Sequence, residues 1–150
     1  MSNHGKVFLS IKIIHTSDWH IGRAFSSTFE DQDTRSHLKV ARFEVIAEIV
    51  KIANAENADV ILVASDIFEN QGVSEQEIRK VLANLQDCDG RVVFIPGNHD
   101  PLIGQFNSPW KKMVAIKKSE NILVAREPKP IGLLKAQLFV LPSPLLTSLN

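Results

Sequence analysis

The chain has 150 residues, 17 Lys and Arg against 17 Asp and Glu, and 44% apolar residues. That length suits one domain burying about 70% of the surface its unfolded chain exposes, and such a composition excludes wholesale disorder. A formal net charge of zero removes the simplest electrostatic case for a general nucleic-acid binder, while leaving room for a local basic patch.

Cys88 is the single cysteine, so neither an intrachain disulfide nor a thiolate metal cluster can form, and a reducing compartment fits best. Residues 7–15 are apolar but short, are broken by Lys12 and lack a small-residue cleavage site. They read as a buried strand rather than a signal peptide. No apolar run approaches the roughly 20 residues of a transmembrane helix, so no membrane partner is expected and the cytoplasm is the expected location.

In chain order, the strand at 7–15 breaks into a polar loop over residues 16–33. From about 35 to 57, apolar residues recur at Leu38, Ala41, Val45, Ile49 and Ile52, a spacing of three and four that predicts one buried helix face. Residues 59–64 form a continuous apolar run, as expected of a strand covered on both faces. Ser74 with Glu77 predicts a capping box opening a helix whose stripe is Ile78, Val81, Leu82 and Leu85. Residues 91–95 read as a third buried strand, stopped by Pro96-Gly97. Ser108-Pro109 predicts a cap and first turn for a short helix through Ile116. Residues 121–126 and 133–141 read as two further strands around a Pro-Lys-Pro turn. The strand–helix alternation implies parallel strands with crossover helices, an α/β architecture.

Each of the first three strands runs out into metal-ligand residue types: Asp18-Trp19-His20, then Ser65-Asp66, then Gly97-Asn98-His99-Asp100. Taken singly, such an aspartate is more often a turn former or helix cap. Three such loops at consecutive strand ends are harder to explain that way. Parallel strands lie about 4.8 Å apart, and ligands bind beyond their carboxyl ends. Carboxylate, imidazole and amide together suit divalent manganese, iron or zinc better than calcium or copper(I).

These residues resemble the calcineurin-like metallophosphoesterases. The wider strings, His15-Thr-Ser-Asp-Trp-His-Ile-Gly22, Ile61-Leu-Val-Ala-Ser-Asp-Ile-Phe68 and Phe94-Ile-Pro-Gly-Asn-His-Asp-Pro101, look like the SbcD-like DNA-repair exonuclease branch. The resemblance implies that Asp18 and His20 bind a first metal, Asp66 bridges two metals and Asn98 binds the second. It implies that His99 protonates the leaving oxygen and that Asp100 orients His99. It further implies two divalent ions, manganese before iron or zinc, and hydrolysis of phosphodiesters such as DNA. A coiled-coil ATPase partner of the SbcC-like kind and a homodimer follow from the same likeness. Arg23 and Trp19 are candidate substrate contacts, Trp19 more readily as a wedge in its loop. Lys111, Lys112, Lys117 and Lys118 are either phosphate contacts or a solvated helix face. Phe25 and Phe29 lie in a loop long enough for a lid.

Two departures stand out. Ser65 occupies the position where the family carries glycine, which predicts a small shift of Asp66. The family also supplies three later histidines, whereas the five here are at 4, 15, 20, 37 and 99. The expected architecture is accordingly the first half of a four-layer α/β/β/α sandwich: βαβαβ, a short helix and two further strands. It is read as one N-terminal part of such a domain over residues 1–150, without a separate second domain and apparently truncated after the Gly-Asn-His-Asp motif. The alternative to an active phosphoesterase is a catalytically incomplete fragment that binds only a metal or a partner.

Overall fold

The computed structural model describes residues 10–25, 31–102, 108–134 and 138–144. Residues 7–9 of the expected first strand, and Phe29, lie outside them. Among the described residues nine elements follow in order: β1 (Ile13–Thr16), α1 (Gln32–Ala55), β2 (Val60–Ala64), α2 (Glu75–Leu85), β3 (Arg91–Ile95), α3 (Pro109–Ile116), β4 (Ile122–Val124), β5 (Ile131–Leu133) and β6 (Leu138–Val140).

The first four strands form one parallel sheet in the order β1-β2-β3-β4. Ile13 lies opposite Val60, Val60 opposite Arg91, and Val92 opposite Ile122. Because side chains alternate along a strand, β2 and β3 feed two cores. Ile61, Val63, Val92 and Phe94 point into a core shared with Ile78, Val81 and Leu85 of α2 and Trp110 and Met113 of α3. Val60 and Val93 face the other way, against Leu133 and the partly buried Leu138 and Val140. The antiparallel β5–β6 pair therefore covers part of the far face of the sheet. Helices, sheet and hairpin stack as the first layers of the expected sandwich.

The caps lie where the sequence predicts them. Ser74 and Glu77 complete a reciprocal capping box on α2, and the Ser108 side chain accepts from the Lys111 N–H, with Pro109 opening α3. Substituting such a cap costs about 1 kcal/mol.

Two expectations need correction. The final segment supplies three strands rather than two, because Leu134, at φ 49°, turns the chain directly after β5. In α1 the buried residues are Ile46, Val50 and Ala53, whereas Val45 and Ile52 are more than half exposed. At 100° per residue the expected stripe is rotated by about a quarter turn from the buried one. Glu44, Glu48 and Lys51 lie opposite Ile46, Val50 and Ala53, and Lys51 pairs with Glu48 at 3.2 Å. That polar arc, which must remain in water, sets the phase; α1 carries more apolar surface than one face can bury.

Candidate metal centre

The three loops meet through their backbones. The Asp18 N–H donates to the Ser65 carbonyl at 3.2 Å, His20 to Asp66 at 3.1 Å and Ile21 to Ile67 at 2.9 Å. Glu69 returns a bond to the Ile21 carbonyl at 2.9 Å, and Ser65 donates to Ile95 at 2.9 Å. The pairing of β1, β2 and β3 thus continues past the strand ends and carries the polar residues into one place.

The backbone is strained there. Asp18, His20, Ser65 and Asp66 have φ of 56°, 46°, 73° and 52°, a left-handed region that costs non-glycine residues about 1–2 kcal/mol each. Such outliers persist where surrounding contacts over-determine them, and they cluster at working sites. Ser65 shows why glycine suits this position. Ser65→Gly is expected to raise stability by about 0.5–1 kcal/mol, the relieved strain less the added chain entropy, read as a higher thermal midpoint.

Asp66 is 9% exposed and accepts the His99 backbone N–H at 3.1 Å. The Asn98 side-chain amide lies 3.3 Å from both Asp66 carboxylate oxygens. With its nitrogen turned there it donates to them. With its oxygen turned there, three oxygens converge, an arrangement that a cation would hold together. Asp18 accepts from the Ser17 hydroxyl, and one of its oxygens lies 3.7 Å from His20 Nε2. The His20 and His99 rings meet edge to face, centroids 5.3 Å apart.

Glu69 is a site residue that the sequence motifs do not mark. Its carboxylate lies 2.8 Å from His20 Nδ1, yet both atoms are buried and neither makes a hydrogen bond of good geometry among the described residues. His20, Glu69 and His99 offer ligand atoms within 4.8 Å of one another. The one signal that points to Glu69 is its place three residues after Asp66, on the same post-β2 loop. Orphaned polar atoms beside a strained cluster of carboxylates and imidazoles are what a divalent cation would satisfy, so the residues present fit such an ion.

Asp100 and Trp19 stand elsewhere than expected. Both Asp100 oxygens accept backbone N–H bonds, from Gly97 at 2.7 Å and Phe68 at 2.9 Å, and its carbonyl accepts from Trp110 Nε1. It ties the β3 loop to the β2 loop rather than orienting the His99 ring. Trp19 is buried, donates to Thr16 Oγ1 at 3.0 Å and packs edge to face on Phe94, so it wedges its loop and presents no face to a base. Arg23 is exposed beside the site, its backbone N–H donating to the His20 carbonyl. Phe25 packs under the Arg42 guanidinium. Of the distant lysines, Lys112 is bound to the Val73 carbonyl and Lys117 to the Ser119 carbonyl.

Burial pushes the Asp100 carboxyl above its ordinary value, against the pull of its two backbone donors. Between the unfolded and folded values the folded chain holds the extra proton. The Asp100 contribution is therefore full below the unfolded value and declines as pH rises through the folded one. Asp100→Asn is expected to gain stability relative to the parent as pH rises through that window, measured as the difference in urea midpoints.

Comparison with known proteins gives a consistent picture. The family model described as calcineurin-like phosphoesterase matches residues 11–135. The chain is 31% identical over 96 residues to the SbcD component of the SbcCD nuclease of Rhodobacter capsulatus, covering 61% of this chain and 22% of that protein. It is 29% identical over 94 residues to the DNA double-strand break repair protein Mre11 of Saccharolobus solfataricus, covering 60% and 23%. With the uncharacterized metallophosphoesterase YhaO of Bacillus subtilis it shares 28% over 114 residues, covering 73% and 28%. The matched stretch spans about a quarter of these relatives' length or somewhat less.

Proposed function

The chain belongs to the calcineurin-like phosphoesterase family, and on that premise we propose that its three strand-end loops form a metal centre for phosphodiester hydrolysis, of the DNA exonuclease kind. The observation that carries the reading is the convergence of Asp18, His20, Asp66, Asn98 and Glu69 with orphaned polar atoms among them.

In this reading Asp18 and His20 hold one divalent ion, Asn98 holds a second, and Asp66 bridges them. Manganese is the first candidate, with iron or zinc as alternatives. Bound ions of this kind polarise the phosphate and lower the pKa of a water at neutral pH. Glu69 fixes the tautomer of His20 by taking the charge opposite Nδ1, a role in which supporting carboxylates tune ligand basicity. His99, exposed at the mouth of the site, gives its proton to the leaving oxygen. Asp100 and Trp110 hold the β3 loop at its height. The relative named as part of a nuclease supports a coiled-coil ATPase partner, a homodimeric assembly and a cytoplasmic setting. Among the described residues, no helix is long and apolar enough to cross a membrane.

A second reading is a fragment that binds metal or a partner without turnover, favoured by the lack of any histidine after position 99. Hydrolysis of bis-p-nitrophenyl phosphate by the purified chain, titrated with manganese, separates the two. Saturable, EDTA-sensitive turnover is the expected result; a folded chain without turnover would establish the second reading.

A further inference from the structure

A cleft of about 330 Å³ opens directly beside the metal centre, between the segment that follows His20, the start of α1 and the N-terminal half of α2. Its walls carry Arg23, Lys39, Arg42 and Lys80, with Val40 and Phe43 between them. In a chain with zero net charge, this is a concentrated excess of positive charge. The one acidic residue of the cleft, Glu77, is spent on the capping box, accepting from the Ser74 N–H at 3.0 Å and the Ser74 hydroxyl at 2.6 Å. Among the described residues none of the four cations makes an ion pair with a carboxylate.

The cations are also held in place. Arg42 donates to the His20 carbonyl and stacks 4.5 Å from the Phe25 ring centroid. Lys80 lies 5.4 Å from the centroid of Phe43. Arg23 and Arg42 repel one another, a cost that an anion between them would remove. Like charges gathered in a concave site focus the local potential and raise the concentration of oppositely charged ligands.

We infer that this cleft binds the phosphodiester backbone of a nucleic-acid strand whose neighbouring phosphate enters the metal centre. The inference rests on the metal-centre reading for the position of the reacting phosphate, but the cleft's own charge does not depend on metal. Its apolar floor of Val40 and Phe43 suits the sugar edge of a strand better than a fully solvated small anion, and point cations along a groove suit a repeating phosphate.

The test uses the full chain in EDTA, so that nothing is cleaved, with a fluorescein-labelled oligothymidylate of about 12 nucleotides read by anisotropy. Lys39→Ala/Lys80→Ala is expected to weaken binding about tenfold at low salt and to lower the salt slope by about 1.4, at 0.7 per phosphate on a single strand. Both lysines are exposed, and circular dichroism, with Lys39→Gln/Lys80→Gln as a second variant, controls for folding. The control Lys51→Ala/Lys118→Ala removes equal charge elsewhere and is expected to bind as the parent does. Equal weakening by the control, parental binding by the cleft variants, undiminished binding of a neutral methylphosphonate strand, or no binding of the parent would each overturn the inference. The two readings fail separately: absent manganese-dependent turnover leaves the strand-binding result standing, and lost strand binding leaves turnover standing.

Discussion

Gly97→Ala is expected to be among the most damaging single-methyl changes in the chain, costing about 2–3 kcal/mol, the upper range for overpacking. A Cβ at Gly97 would lie 2.5 Å from the Asp66 backbone nitrogen and closer still to Ser65 Oγ and Asp66 Oδ1. The serine hydroxyl can rotate away, but the backbone nitrogen cannot, so the β3 loop must lift from the β2 loop. That movement would stretch the 3.1 Å bond from His99 N–H to Asp66 and the Gly97 N–H bond to Asp100. Stability and metal affinity should therefore fall together, in a urea titration and a manganese titration respectively. A variant as stable as the parent would show that the two loops are not held at the described distance.

Asp66→Ala is expected to have the larger effect on chemistry. Removing a carboxylate placed between two ions forfeits several kcal/mol of charge stabilisation, which at 1.36 kcal/mol per decade corresponds to about a thousandfold or more in manganese-dependent hydrolysis. The same change relieves a left-handed aspartate and removes a buried charge, so the fold should survive it. Turnover lost with the thermal midpoint kept is the signature of a site residue. Turnover retained within tenfold would assign the chemistry to other groups.

Much of the fold is legible in the sequence, for physical reasons that differ by element. The strands of the sheet are plain because residues buried on both faces leave uninterrupted apolar runs. The caps at Ser74 and Ser108 are plain because few side chains can satisfy orphan N–H groups. The stripe of α1 reads a quarter turn away because the helix is apolar on two flanks, and Glu44, Glu48 and Lys51 are the better guide to its phase. The start of α1 reads late because Asp31, whose side chain accepts from Thr34 N–H at 2.7 Å, looks in sequence like one more loop residue.

The candidate site divides along similar lines. Residue type and loop position point to Asp18, His20, Asp66, Asn98 and His99, but not to the direction in which each side chain turns. Asp100 follows His99 directly, yet its carboxylate is drawn inward by two backbone donors. Trp19 stands between two site residues and is buried against Phe94. Glu69 lacks any strand-end signature, and only the ladder from Ile21 to Glu69 brings it to His20. The cleft cations are separated by as many as 57 positions, from Arg23 to Lys80, and give no local pattern.

The central claim is that the three loops hold divalent metal through Asp66. Its most direct test is the electron paramagnetic resonance of manganese titrated with the chain and with Asp66→Ala. Binding should quench the six-line signal of the free ion with the parent chain, and the signal should return with the variant. An undiminished free-ion signal, or equal quenching by Asp66→Ala, would contradict the metal centre described for these loops.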